Sequence, residues 1–241
     1  MLLSPIRQHG ILLQRYKRFL ADIILSDGTE LTVHCPNPGA MRGCSAPGSP
    51  VIISKSDNPK RKYAWTLEMV QDNGVWIGVN TGLTNKLVHE AFQSGLIDIF
   101  GPIESVQPEV KVSEKSRLDF LLHTVTGPVY VEVKSCSLVE EDKAIFPDAV
   151  TARGTKHLHE LARLLDRETR AAVLFCVQRA DGHCFAPAYH IDPLYAETLA
   201  EVQKQGVQVL AYRARVDPEE ICITAAIEIC PEAQQEEEKQ G

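Results

Sequence analysis

Two alternating apolar runs meet at a turn in SRLDFLLHTVTGPVYVEVKS, residues 116–135. Leu118, Phe120 and Leu122 lie on one side of Thr126-Gly127-Pro128; Val129, Val131 and Val133 lie on the other. A period of two is a strand, and Gly-Pro is turn chemistry, so the segment predicts a β-hairpin. Alternate side chains share a face, so Glu132 and Lys134 point the same way, and folding about the turn brings Asp119 level with them. Two carboxylates and an ammonium on a half-buried face are costly unless something pairs them. A divalent cation would hold the carboxylates together, and the lysine can steady a water or a phosphate oxygen. The competing reading is ordinary: Glu-x-Lys on a strand is usually a solvated face. A solvated face, however, carries several polar residues per strand, and here each acid stands among apolar neighbours.

A chain of 241 residues can build one large domain or two small ones. It has no apolar run of membrane-spanning length, and Met1-Leu2-Leu3-Ser4-Pro5 is too short and too soon interrupted for a signal peptide. Seven cysteines without a C-x-x-C pair suggest reduced thiols and a cytoplasmic setting. Cys176 and Cys230 lie in apolar runs and read as buried small hydrophobes, and Cys136, Cys184 and Cys222 have no zinc spacing. The net charge of −7 is unevenly spread. Residues 1–66 hold nine Lys/Arg against four Asp/Glu, so the rest of the chain carries −12. A basic amino-terminal third on an acidic protein points to a polyanionic partner.

Residues 1–81 read as short strands at 21–25, 31–34, 51–54, 63–71 and 75–79, separated by Asp27-Gly28, the Pro/Gly-rich stretch 36–50, Asn58-Pro59 and Asn73-Gly74. Five short strands suit a small barrel of the OB type. Residues 82–230 alternate helix and strand. Helices are expected from Thr84 or Asn85 to Gly95, from about Thr155 to Arg167, and from Pro193 to Gln205. Strands are expected at 171–177, a continuous apolar run, and at 207–212. That alternation argues an α/β domain. Residues 231–241 form an acidic, low-complexity tail.

Arg15, Lys17, Arg18, Lys60, Arg61 and Lys62 can form a phosphate-tracking surface, with Tyr16, Tyr63 and Trp65 interleaved for stacking. A solvated charged face over barrel-core aromatics is the alternative. Glu90 falls beside the apolar face of its helix and can reach a metal from the side, or pair with Lys86 at i, i+4. Arg153, Lys156 and His157 fall at the start of the second helix. A cationic cluster is unfavourable there for an isolated helix and is easier to understand with a phosphate nearby; surface charge is the other reading.

The chain resembles the bacterial sugar fermentation stimulation protein A family over nearly its whole length. The stretches that carry the likeness are QRYKRFLADI (14–23), HCPNPGAM (34–41), SDNPKRKY (56–63), VNTGLTNKLVHEA (79–91), SRLDF (116–120), VEVKS (131–135), FPDAVTARGTKHL (146–158) and HIDPLY (190–195). Pro38 stands where the family pattern suggests threonine. The resemblance implies an OB-like domain followed by a PD-(D/E)xK restriction-endonuclease-like α/β domain. It also implies DNA binding with little sequence preference and a link to regulation of sugar (maltose) utilisation. Asp119, Glu132 and Lys134 match the D…E-x-K set, although Leu118 replaces the preceding proline. Glu90 matches the acid of the first core helix. Arg153, Lys156 and His157 match a segment facing the site. The implied cofactor is Mg²⁺ or Mn²⁺ held by Asp119, Glu132 and Glu90, and the alternative function is a Mg²⁺-dependent nuclease on DNA or RNA. No membrane partner is expected. The oligomeric state, a homodimer included, stays open, as does the choice among single strand, duplex and RNA.

Overall fold

In the computed structural model the described residues are 1–114 and 116–231. The amino-terminal part is built from β1 (Arg7–Tyr16), β2 (Leu20–Leu25), β3 (Glu30–His34), β4 (Pro50–Lys55), β5 (Trp65–Asp72) and β6 (Val75–Gly78). They run in the order β3-β2-β1-β4-β5-β6, and a β3–β5 pairing closes the first five into a barrel. Closure removes the open sheet edge. The barrel is filled by Leu12, Ile23, Val33, Ile53, Leu67 and their neighbours.

The first strand, β1, was not among the strands expected from sequence. Its apolar residues are interrupted by Gly10 and framed by arginines and glutamines, so no clean alternation marks it. Gly10 is there for proximity: a Cβ would meet Ile23 Cγ2 at 2.4 Å and the Ile24 carbonyl at 3.0 Å. The side-chain loss that blurs the pattern lets β1 lie tightly on β2.

A single turn, Thr81–Leu83, leads into α1 (Thr84–Gln93). Then follow β7 (Ile103–Ser113), β8 (Ser116–Thr124), β9 (Gly127–Cys136), β10 (Leu138–Glu140), β11 (Lys143–Phe146), α2 (Ala152–Arg163), β12 (Arg170–Val177), β13 (Cys184–Pro187), α3 (Pro193–Lys204), β14 (Gln208–Val216) and β15 (Ile221–Ile229). The nine strands form one mixed sheet, β10-β11-β13-β15-β14-β12-β9-β8-β7. The two strands flanking β12, β9 and β14, are parallel to it. One face packs on α1 through Leu87, Val88 and Phe92. The other packs on α2 and α3 through Leu158, Leu161, Leu199 and Val202. Coverage on both faces explains why β12 reads as an unbroken apolar run.

Three departures from the sequence reading concern this region. α2 begins at Ala152, three residues earlier than expected, because the Thr151 hydroxyl caps it by accepting the Gly154 amide at 3.1 Å. Strands β7, β10, β11, β13 and β15 were not anticipated. Cys184 and Cys230 are bonded to each other rather than reduced, and Cys230 is half-buried rather than a core hydrophobe. The parallel pairing of β13 with β15, which sets Phe185 opposite Ile229, makes these distant cysteines neighbours. Pro231 excepted, the acidic tail lies outside the described residues. Among the described residues no helix is long and apolar enough to cross a membrane.

Candidate metal centre and nucleic-acid interface

The predicted hairpin is β8–β9, with Phe120 opposite Val131 and Leu122 opposite Val129. The backbone ladder stops after Phe120. There the Asp119 side chain takes over: its Oδ2 accepts the Val133 amide at 2.8 Å, while Oδ1 accepts Asn85 Nδ2 of α1, also at 2.8 Å. Burial is the largest influence on this carboxyl, and the nearby Glu132 charge adds to it; together they push it up to about 6.

Glu132 is 4% exposed, and its two oxygens are unequal. Oε1 accepts Lys134 Nζ at 2.6 Å and also contacts His157 Nδ1 of α2. Oε2 is buried and has no hydrogen-bond partner among the described residues. Burial alone would push this carboxyl up. The His157 hydrogen bond and the Lys134 charge outweigh it and hold Glu132 below the usual range. A buried acceptor without a donor is expensive, and a cation would relieve both that cost and the Asp119–Glu132 repulsion. The donor set, all carboxylate oxygen, suits a hard divalent ion. The residues therefore fit the metal that the resemblance implied.

Glu90 fits less well. It lines the same hollow as Asp119, but it is half exposed and its Oε2 lies 3.1 Å from the Met1 amine. Among the described residues no three His, Cys, Asp or Glu converge as a ready metal cluster. Asn85, not Glu90, is the α1 side chain that touches Asp119. The sequence reading considered Asn85 only as a helix cap.

A cavity of about 520 Å³ opens beside Lys134, between the amino end of α2 and the loop 36–41 of the barrel. That loop is gripped from both sides. Arg15 donates to the carbonyls of Asn37, Gly39 and Ala40 at 2.8–3.3 Å, and Arg18 donates to that of Pro38 at 2.9 Å. From the α/β domain, Asp148 Oδ2 accepts the Met41 amide at 2.7 Å, and from the turn that joins the two domains Thr81 donates its hydroxyl to the Pro36 carbonyl at 2.8 Å. Gly39 has no room for a side chain, since a Cβ would meet both Asp148 oxygens at 2.7 Å. The loop is thus a strap between the domains, a structural tie that also walls the cavity.

The predicted basic surface divides accordingly. Arg15 spends its guanidinium on the strap. Arg61 is committed to Thr66 Oγ1 at 3.0 Å and His34 Nδ1 at 3.1 Å. Lys62 lies over the Tyr63 ring, its Nζ 5.4 Å from the centroid, and Lys17 and Lys60 are exposed. Arg18 and Arg153 line the cavity with Lys134. Arg153 also borders a shallower hollow with Lys156 and His157.

Comparison with known proteins places this geometry. Residues 13–79 match the model described as the SfsA N-terminal OB domain, and residues 82–220 match that of the sugar fermentation stimulation protein RE domain. The chain belongs to the sugar fermentation stimulation protein family. A homolog from Desulfotalea psychrophila is 55% identical across 89% of both chains. One from Shewanella sp. strain MR-4 is 49% identical across 95% of this chain and 97% of its own. The solved structure of Pyrococcus furiosus SfsA in complex with Ca²⁺ superposes with a TM-score of 0.87 at 26% identity, covering 96% of this chain and 98% of that one. An OB barrel followed by a mixed α/β domain is therefore the family architecture.

Proposed function

We propose that this family member binds DNA with little sequence preference and that Asp119, Glu132 and Lys134 form a divalent-cation site able to hydrolyse a phosphodiester. The observation that carries the reading is the buried, partnerless Glu132 Oε2 beside Asp119, with Lys134 2.6 Å from the other Glu132 oxygen. That a Pyrococcus relative is described in complex with Ca²⁺ supports a hard cation here, for which Mg²⁺ or Mn²⁺ is the working ion. Such an ion, when bound, neutralises charge developing on the phosphate. Asp119 and Glu132 hold it. Lys134 orients the attacking water and steadies a phosphate oxygen. His157 braces Glu132 from α2. Asn85 and the Val133 amide fix Asp119. Exposed Lys17, Lys60 and Lys62 track the phosphate backbone, as do Arg18, Arg153 and Lys156.

A second reading keeps the binding and drops the cleavage. Its support is that the acids are already answered internally, Glu132 by Lys134 and His157, and Glu90 by the Met1 amine. The protein would then be a DNA-binding regulator in the sense of the family's name, acting on sugar (maltose) utilisation. Incubating the chain with end-labelled nucleic acids in Mg²⁺, Mn²⁺ or EDTA separates the two.

A further inference from the structure

Lys134 is the one member of the proposed catalytic set that opens into the 520 Å³ cavity, so the shape of that cavity constrains what can be presented to it. The volume lies in the range of small-molecule sites and has room for a single nucleotide. Its lining is mixed. The apolar part is Leu138 and Ile145, both buried, and Val150, 76% exposed. Three cations join it from three elements, Arg18 from the barrel, Lys134 from β9 and Arg153 from α2. The amino terminus of the twelve-residue helix α2 opens on it through Thr151, where helix dipole and amides favour an anion. An apolar slot beside three cations fits a base and the phosphates that flank it.

The cavity is also kept narrow. The strap forming its barrel side is tied to the α/β domain by Asp148–Met41, to the inter-domain turn by Thr81–Pro36, and to the barrel by Arg15 and Arg18. Widening it for a duplex would break several of these bonds at once.

We infer that this cavity takes one unpaired nucleotide, with its base against the Leu138–Ile145–Val150 wall and its phosphates on Arg18, Lys134 and Arg153, so that the protein selects single-stranded or frayed nucleic acid over matched duplex. The inference rests on the nucleic-acid reading above and adds the strandedness of the substrate. A paired base reaches Lys134 only after leaving its stack, a cost that a single strand does not meet.

The test uses the full chain in EDTA, so that cleavage plays no part. Binding is measured to a single-stranded DNA, a single-stranded RNA, a matched DNA duplex and a duplex with a short unpaired end, each carrying 2-aminopurine. The expected result is about tenfold tighter binding of single strands than of duplex, because a duplex must first unpair and unstack the base. The 2-aminopurine emission should change when the probe is unpaired and not when it is within the duplex. The DNA and RNA arms show whether the sugar matters. Arg18→Gln should lower the salt slope for single strands by about 0.7, one lost phosphate contact. Equal affinity for duplex and single strand, with no difference in emission, overturns this inference alone. Failure of every nucleic acid to bind overturns it together with the reading beneath it.

Discussion

The Asp119 carboxylate accepts the Val133 amide at 2.8 Å, at the point where β8 and β9 stop exchanging backbone hydrogen bonds. One side chain thus replaces a rung of the sheet and is held level with Glu132, the residue before Val133. The acid is fixed by backbone, so its position survives changes at its neighbours more readily than that of a free surface carboxylate. Asp119→Asn keeps one oxygen to accept the Val133 amide, so this cleavage-dead variant should still fold, though it loses the acceptor that faces Asn85.

The raised Asp119 carboxyl has a thermodynamic consequence. Its value of about 6 in the fold lies above the 3.8 of an unhindered aspartate. Between these values the folded state holds the proton more tightly than the unfolded chain does, so stability falls as pH rises through that window. The stability of the wild type relative to Asp119→Asn should therefore shift in the wild type's favour by at most about 3 kcal/mol as pH drops from 7 to 4. Chemical denaturation at several pH values measures it; a constant difference would show that Asp119 does not titrate as its burial requires. Mg²⁺ or Ca²⁺ should raise the melting temperature of the wild type at pH 7 and not that of Asp119→Asn.

The strap offers a coupling test. Asp148→Ala should cost about 1–3 kcal/mol, because it leaves the Met41 amide unanswered. Gly39→Ala should cost a similar amount through collision with the Asp148 oxygens. In the double variant the collision partner is gone, so the two costs should fall short of adding. Additive costs would mean that the Gly39–Asp148 approach is not what fixes the strap.

The basic residues of the barrel should separate into two kinds. Replacing Lys17, Lys60 and Lys62 by alanine should lower the salt slope of DNA binding by about 0.7 per lost single-strand contact, with little effect on stability. Arg15→Ala should instead lower stability by about 2 kcal/mol, since its guanidinium ties down the strap carbonyls. Urea melts together with salt titrations distinguish these outcomes. An Arg15→Ala protein of unchanged stability would place Arg15 among the binding residues after all.

The Cys184–Cys230 bond predicts a thiol count. Of seven cysteines, five are free. Unfolding in guanidinium without reductant should expose about five titratable thiols, and reduction should raise the number to seven. Seven without reductant would show the pair to be open.

The hairpin and its D…E-x-K set were legible in the sequence because a strand's period of two places Glu132 and Lys134 on one face whatever the rest of the chain does. The helices were legible from their apolar stripes, and β12 from its unbroken run. Among the features that were not legible, three show why. β1 hid behind Gly10, whose missing side chain is a requirement of close packing. Asn85 looked like a helix cap, because nothing local shows that Asp119, 34 residues away, needs a donor. Arg15 and Arg61 looked like phosphate binders, because composition reports charge and not what the charge already touches. In each case the deciding contact is long-range, and only the closed fold supplies it.

The central claim is that Asp119, Glu132 and Lys134 act on a phosphodiester with a divalent cation. The most direct measurement is the cleavage of end-labelled single-stranded DNA, duplex DNA and RNA by the wild type, Asp119→Asn and Lys134→Ala, in Mg²⁺, in Mn²⁺ and in EDTA, with affinity measured in parallel. One metal and one positioned water carry the chemistry, whereas affinity is spread over many phosphate contacts, so the two should come apart. The account predicts metal-dependent cleavage by the wild type that both substitutions and EDTA reduce by orders of magnitude while binding is kept. Binding without cleavage of any substrate by the wild type in either metal would contradict it and leave a DNA-binding regulator with an internally neutralised acidic pair.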